Sequence, residues 1–334
     1  MKNIGSSLLK LAAAGIVWAG LSAPVQAWAP EGHEIIARIA DYYLTPATRE
    51  KLQEILGSYK LHEYEIASWP DIIRGNKEYE ALYPRNGRWH YVDYDAAKRY
   101  NDDFKLEPPE DGDSIVTQLG RWKDVLSDGR VSTEKRLDAL RFVVHFAGDM
   151  HQPMHCAYRY GDMGGNMIPV NSFKGKHYSF DADTPMDYAP SLHSIWDEAL
   201  VNEAMEGLTP FAFAKQLRKE ITPEQLKRWR HDDIPAWAVD SYWKARKLAY
   251  RWADRNKPVP FKWSRPGMDV TLDNYINARV PVVREQLQKA GVRLAHLLNE
   301  ALDPDYRQAA EQAAKEKRSR SVEPDGVGDK SSVE

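Results

Sequence analysis

The stretch Val144-His145-Phe146-Ala147-Gly148-Asp149-Met150-His151-Gln152-Pro153-Met154-His155 places three imidazoles and a carboxylate within twelve residues. His145 and Asp149 are four residues apart, so on a helix they project from one face and can hold a metal together. Pro153 ends that helix and delivers His155 on the turn beyond. Leu192-His193-Ser194-Ile195-Trp196-Asp197 repeats a His and an Asp four apart. One such pair alone reads most simply as a core histidine satisfied by an aspartate. Two in one chain, with further candidate ligands upstream, reverse that reading. The upstream candidates are His33, Asp71 in Ser68-Trp69-Pro70-Asp71-Ile72-Ile73-Arg74, and His90 in Arg88-Trp89-His90-Tyr91-Val92-Asp93. A free α-amino group loses its proton near pH ~8, so a metal can displace that proton and close a chelate with the residue's own carbonyl. A chain starting at Trp28 offers such a group five residues before His33.

These side chains need rigid carriers, and the apolar periodicity predicts helices. Glu31 to Tyr43 carries Ile35, Ile36, Ile39, Ala40 and Tyr43 at helical spacing. Thr45-Pro46 starts a second helix with a cap and a first-turn proline, and Gly57 closes it. Further helices are predicted over Ser114 to Leu126, Thr133 to Met150, His193 to Glu206, Pro223 to Arg230, Ile234 to Arg255 and Asp273 to Asn299. The one candidate for strands is a short hairpin near 167–180, after Gly164-Gly165. With no internal repeat and no Gly/Ser linker, residues 28–302 read as one large all-α domain. From Asp303 to Glu334 the chain is polar and is expected to lack fixed structure.

The 334 residues hold 46 Lys+Arg against 49 Asp+Glu, a formal charge of −3, and are 43% hydrophobic. That suffices for a large core. It excludes a protein that grips nucleic acid mainly through an extended basic surface, so any such contact must be local. The 11 Trp and 17 Tyr suit either a thick helical core or a pocket that stacks on planar ligands. Lys2 and Lys10, the apolar run Leu11 to Leu21 and the small residues around Val25-Gln26-Ala27 read as a secretion signal over 1–27, cleaved between Ala27 and Trp28. The apolar run is too short to span a bilayer. The expected location is therefore periplasmic or extracellular, where the single Cys156 can form no intrachain disulfide.

In this order and spacing the motifs resemble the S1/P1 nuclease family, secreted trinuclear zinc enzymes that cut single-stranded DNA and RNA. The resemblance runs from Trp28 to about Asn299. It rests on Trp28 with Gly32-His33, Trp69 and Asp71 with Arg74, Trp89-His90, His145 to His155, Gly164-Gly165-Asn166, Leu192 to Asp197, and the last helix around Gln286-Leu287 and Arg293-Leu294-Ala295. It implies the helical fold of the phospholipase C/P1 nuclease type and three Zn²⁺ per chain. One zinc would sit on Asp71, His90, His145 and Asp149. A second would take the Trp28 amino and carbonyl groups, His33 and the bridging Asp149. The third would take His155, His193 and Asp197. Nitrogen and oxygen donors of this kind suit zinc. Asp71, Arg74 and Asp149 would be the catalytic residues, with Arg74 binding phosphate. Asp93 and Asn166 would meet a base edge and Tyr91 a base face. The resemblance further implies 5′-phosphate products, action on 3′-nucleotides and a monomer, with single-stranded DNA and RNA as the only macromolecular partners. His151 is read as a helix-end residue or a support for the ligands.

Two departures stand out. Eukaryotic members carry disulfides that one cysteine cannot make, which suggests a bacterial protein. The segment Lys176 to Ser191 is longer than the family pattern and is expected to overhang the site. A zinc phospholipase C and a non-catalytic periplasmic zinc-binding protein are the alternatives. The former has Glu where Asp197 stands and a shorter span between its last two ligand histidines, whereas storage has no use for Arg74.

Overall fold

In the computed structural model the described residues are 28–98, 106–109, 112–173, 176–177, 190–230, 233–252, 268–269 and 274–322. The expected signal segment 1–27 and most of the long segment after Lys176 lie outside them. Helix α1 (Pro30–Tyr42) begins at a proline whose missing N–H costs nothing in the first turn, and it buries His33, Ile35, Ile36, Ile39 and Ala40. Helix α2 (Pro46–Leu56) is capped by Thr45, whose hydroxyl accepts from Thr48 N at 3.1 Å, and stops at Gly57 with φ +60°. Three short helices follow, α3 (Tyr64–Ala67), α4 (Trp69–Ile73) and α5 (Lys77–Glu80). Helix α6 (Ile115–Ser127) starts from a Ser114/Thr117 capping box, and α7 (Thr133–Asp149) from a Ser132 cap.

Past the site come α8 (Leu192–Ser194), a widened π-type turn over Ile195–Ala199, α9 (Leu200–Met205), α10 (Pro210–Glu220), α11 (Pro223–Trp229) and α12 (Ile234–Lys244). The 28-residue α13 (Tyr275–Leu302) is the central strut, packed against α1, α6, α7 and α9. A Cβ at Gly291 would lie 2.4 Å from Ile39 Cγ2 and 3.2 Å from Ile36 O, so α1 and α13 approach as closely as they do only because the residue is glycine. The aromatic excess goes mainly into the core. Phe142 of α7 stacks on Trp122 at 4.5 Å and meets Trp69, Tyr83 and Trp89 edge-on at 5.2 to 5.6 Å. Trp69, Trp89 and Phe142 lie one to three residues before Asp71, His90 and His145, so this wedge fixes the segments that carry those ligand candidates.

The chain is predominantly helical, as expected. The hairpin near 167–180 is present as β1 (Val170–Phe173) against β2 (Lys176–His177), with Ser172 opposite His177. A third short strand that sequence reasoning did not anticipate, β3 (Met268–Asp269), pairs parallel to β1. The predicted helix Ile234 to Arg255 stops earlier, passing from α12 through a π-type turn over Ala245–Ala249. The tail requires a larger correction. Of the tail expected to lack structure, Pro304–Val322 forms helix α14, and residues 323–334 lie outside the described residues. Asp303 caps it, accepting at Oδ1 from Asp305 N and Tyr306 N (3.1 Å each) and at Oδ2 from Thr45 Oγ1 (2.7 Å). Ala, Glu, Gln, Lys and Arg are strong helix formers, and the first turn is tied to α13, with Tyr306 OH 3.0 Å from His296 Nδ1 and Arg307 donating to Glu300 O at 2.8 Å. No described helix is long and apolar enough to cross a membrane. Cys156 is buried and unpaired, its thiol donating to Met150 O at 3.4 Å.

Candidate metal centre

Trp28 is fully buried, and its indole N–H donates to Gly148 O at 2.9 Å, which stitches the segment before α1 onto the last turn of α7. Ala29 N donates to Asp197 O at 2.9 Å, so the same segment touches both ends of the centre. His33 lies flat on His145, ring centroids 4.1 Å apart and 16° from parallel. Gly148 makes the room, since a Cβ there would stand 2.7 Å from His33 Nδ1.

Four side chains converge below. His145 donates Nδ1–H to Ala67 O (2.8 Å), which turns its Nε2 inward to 3.2 Å from His90 Nδ1, 3.3 Å from Asp149 Oδ2 and 3.6 Å from Asp71 Oδ1. His90 Nδ1 is 2.9 Å from Asp149 Oδ2 and 3.6 Å from Asp71 Oδ1. The other oxygen of Asp149 faces elsewhere, with Oδ1 3.2 Å from His33 Nε2. One carboxylate thus serves two imidazole groups through separate oxygens, the geometry of a bridge.

The remaining cluster is built on the turn beyond α7 and on α8. His155 donates Nδ1–H to His90 O (2.7 Å) and His193 donates Nδ1–H to Gly164 O (2.8 Å), so their Nε2 atoms meet at 3.1 Å. Such backbone acceptors set the tautomer and aim of a metal-binding imidazole. Gly164 has φ +62°, and a Cβ would fall 2.8 Å from Met154 O, so the loop that offers this carbonyl requires glycine. Asp197 Oδ2 lies 3.5 Å from His193 Nε2 and Oδ1 4.0 Å from His155 Nε2.

Within each of the sets His33/His145/Asp149, Asp71/His90/His145 and His155/His193/Asp197, the ligand atoms lie within 4.8 Å of one another, and all these residues are buried. His33 Nδ1 and Nε2, Asp71 Oδ1, His90 Nε2 and Asp149 Oδ1 have no hydrogen-bond partner although buried. Unpaired buried polar atoms are costly, and a divalent cation among the inward-facing ones removes that cost. The donor set fits zinc.

In the protein without metal, burial lowers His33 and His90, and the charge of His145 lowers His33 further. Burial opposes protonation of His145 too, but Asp149 and Asp71 outweigh it and carry the ring to about 10. Burial raises Asp71 and Asp149, yet His145 more than offsets it and holds both below the usual carboxylate range. Burial brings His155 to about 4 and His193 to about 3, and Arg74 lowers both. Burial holds Asp197 well above the ordinary value against the hydrogen bond from Gln152.

Arg74 caps the end of α4, its side chain passing over Gly87, where a Cβ would stand 3.4 Å from its Nε. Tyr91 is half-buried, with the Arg88 guanidinium 6.0 Å from its ring. Asp93 is exposed on the segment after His90 whose Val92 N donates to His155 O at 2.8 Å. Asn166 lies two residues past Gly164, its amide donating to Met163 O at 2.8 Å and its oxygen accepting from Ser191 Oγ at 3.4 Å. His151 is fully buried, donating Nδ1–H to Ala147 O (2.7 Å) and accepting at Nε2 from Arg293 (2.9 Å), which matches its reading as a helix-end support. Sequence reasoning gave no role to Gln152, to Gly148 or to Gly32, although Gly32 stood in the Gly32-His33 motif. The only cue for Gln152 was a polar amide between two candidate ligands. Why the glycines are needed had no local sign, because the groups they clear space for, His33 and Trp28, are placed by tertiary packing.

A family model described as S1/P1 Nuclease matches residues 28–303. Endonuclease 2 of Arabidopsis thaliana is 31% identical over 310 residues, covering 85% of this chain and 93% of the relative. Nuclease P1 of Penicillium citrinum is 28% identical over 290 residues (82% and 97%). Nuclease S1 of Aspergillus oryzae is 29% identical over 304 residues (87% and 96%).

Proposed function

The chain belongs to the S1/P1 nuclease family, and from that premise we propose that it is a zinc-dependent endonuclease that hydrolyses single-stranded DNA and RNA to 5′-phosphate products and acts on 3′-nucleotides. As a nuclease it is a hydrolase of phosphodiester bonds. The observation that carries the finer reading is the split engagement of Asp149, Oδ1 toward His33 and Oδ2 toward His90 and His145, with a separate His155/His193/Asp197 cluster beside it. Asp71, His90, His145 and Asp149 would hold one ion, Trp28, His33 and Asp149 a second, and His155, His193 and Asp197 a third. Bound zinc supplies Lewis acidity, making water a nucleophile at neutral pH and offsetting charge on the reacting phosphate.

The chain's own residues do the rest. Arg74, whose charge lowers His155 and His193, would offer a guanidinium to phosphate, two N–H groups to two oxygens. Tyr91 offers a ring face to a base, and Asp93 and Asn166 offer an acceptor and an amide to its edge. A duplex hides base faces and edges from such a pocket, which favours single strands. Removal of 1–27 during secretion would free the Trp28 amino group in the segment that touches both Gly148 and Asp197. The match of the family model from residue 28 supports that start.

The test is protein starting at Trp28, assayed on single-stranded DNA, RNA, duplex DNA, 3′-AMP and phosphatidylcholine, with and without chelator. Chelator-sensitive cleavage of the first two and of 3′-AMP, with three zinc ions per chain, is expected. Phosphatidylcholine cleavage alone, or zinc binding without turnover, would refute the proposal.

A further inference from the structure

Gln152 is wholly buried and stands between the two parts of the centre. Its backbone N–H donates to Asp149 O (2.9 Å) and its carbonyl accepts from His155 N (3.0 Å). Its side-chain oxygen accepts from Met154 N (2.5 Å), which leaves the amide NH₂ to donate to Asp197 Oδ1. Asp197 Oδ2 stays turned toward His193. The turn that carries Gln152 is pinned from the far side. Ser241 Oγ of α12 donates to Met150 O (2.6 Å), and Gln286 Nε2 of α13 donates to His151 O (2.7 Å). Arg293 of α13 holds the His151 ring. With its backbone fixed by α12 and α13, Gln152 cannot follow Asp197, so the carboxylate must follow Gln152.

We propose that Gln152 is a positioning residue that holds Asp197 as a one-oxygen ligand and thereby builds the third metal position, a reading that rests on the three-zinc centre above. Gln152→Met removes both side-chain bonds at nearly constant volume. Gln152→Glu keeps the acceptor for Met154 N–H but sets a second carboxylate against Asp197. Zinc is added stepwise to metal-free protein starting at Trp28, against a chromophoric chelator, with His193→Ala marking the third position. Loss of a group that orients a ligand costs about 10- to 100-fold in metal affinity or activity. Gln152→Met is expected to weaken one zinc equivalent by about that factor, the same one weakened in His193→Ala, and to leave the other two unchanged. At limiting zinc its kcat should fall by a similar factor with KM for 3′-AMP unaltered, and excess zinc should restore it by mass action. Gln152→Glu should lose the same equivalent near pH 7, and it carries the test if the methionine variant does not fold. Three equivalents of unchanged affinity in the folded variants, with only a lower Tm, would overturn the proposal. Fewer than three in the unmodified protein would overturn the three-zinc reading and this one with it.

Discussion

Gly148→Ala should separate the folding of this protein from its chemistry. Alanine is the better helix former by about 0.5–1 kcal/mol in a helix interior, and position 148 lies in the last turn of α7. Against that gain, the new methyl would stand 2.7 Å from His33 Nδ1, 2.9 Å from His33 Cε1 and 3.4 Å from Ile36 Cδ1. Overpacking of this kind costs about 1–3 kcal/mol, so the net loss of stability should be small, on the order of 0–2 kcal/mol. The imidazole must retreat by about 0.7 Å to reach ordinary contact. Metal–ligand distances tolerate only about 0.2 Å, so the proposed bond from His33 to zinc would not survive that shift. A displacement near 1 Å at a reacting centre costs roughly 100-fold in rate. Cleavage of single-stranded DNA should therefore fall about 100-fold while the denaturant midpoint falls by no more than the loss of about 2 kcal/mol implies, with zinc content reduced by one. Wild-type turnover and full zinc in a folded Gly148→Ala protein would show that His33 does not need its present seat.

One extra residue before Trp28 should remove the α-amino ligand and most activity, and equal turnover of the extended and cleanly started proteins, with zinc measured in both, would exclude Trp28 from the site. Asp149→Asn keeps the shape but not the charge that faces both His33 and the His90/His145 pair, so more than one zinc per chain should be lost and the Tm should drop; metal analysis showing a full complement would refute the bridge. The His145 ring, held up to about 10 without metal, must release its proton before Nε2 can ligate, so zinc loading near pH 8 should expel at least one proton per chain and affinity should rise with pH up to about 10. Calorimetry in buffers of different ionisation enthalpy measures this, and affinity unchanged between pH 6 and 9 would contradict it. Asp93→Ala should leave zinc content intact and slow cleavage of nucleotides by about 10- to 100-fold while hydrolysis of a base-free phosphodiester barely changes; equal losses on both would mean that Asp93 only supports the segment that carries His90.

Much of the centre was legible because its information is local. The spacing of His145 to Asp149 places that pair on one face of α7, the spacing of His193 to Asp197 still brings the two together across the start of the π-type turn, and Thr45-Pro46, Ser114 and Gly57 mark helix ends through interactions spanning three or four residues. Helix α14 escaped notice for a related reason. An apolar stripe was the signal sought, whereas this helix rests on propensity, on contacts of Tyr306 and Arg307 with α13, and on Asp303, whose other oxygen is claimed by Thr45, 258 residues earlier. Which nitrogen of each histidine faces inward was decided only by tertiary structure, because the carbonyls that orient the rings belong to Ala67, His90 and Gly164, distant in sequence from His145, His155 and His193. The same holds for the two-sided use of Asp149, for the glycine that seats His33, and for Gln152, whose partner Asp197 lies 45 residues away. Residue type and spacing alone named the groups able to bind metal. Their aim depended on contacts that exist only once α7, α12 and α13 have packed.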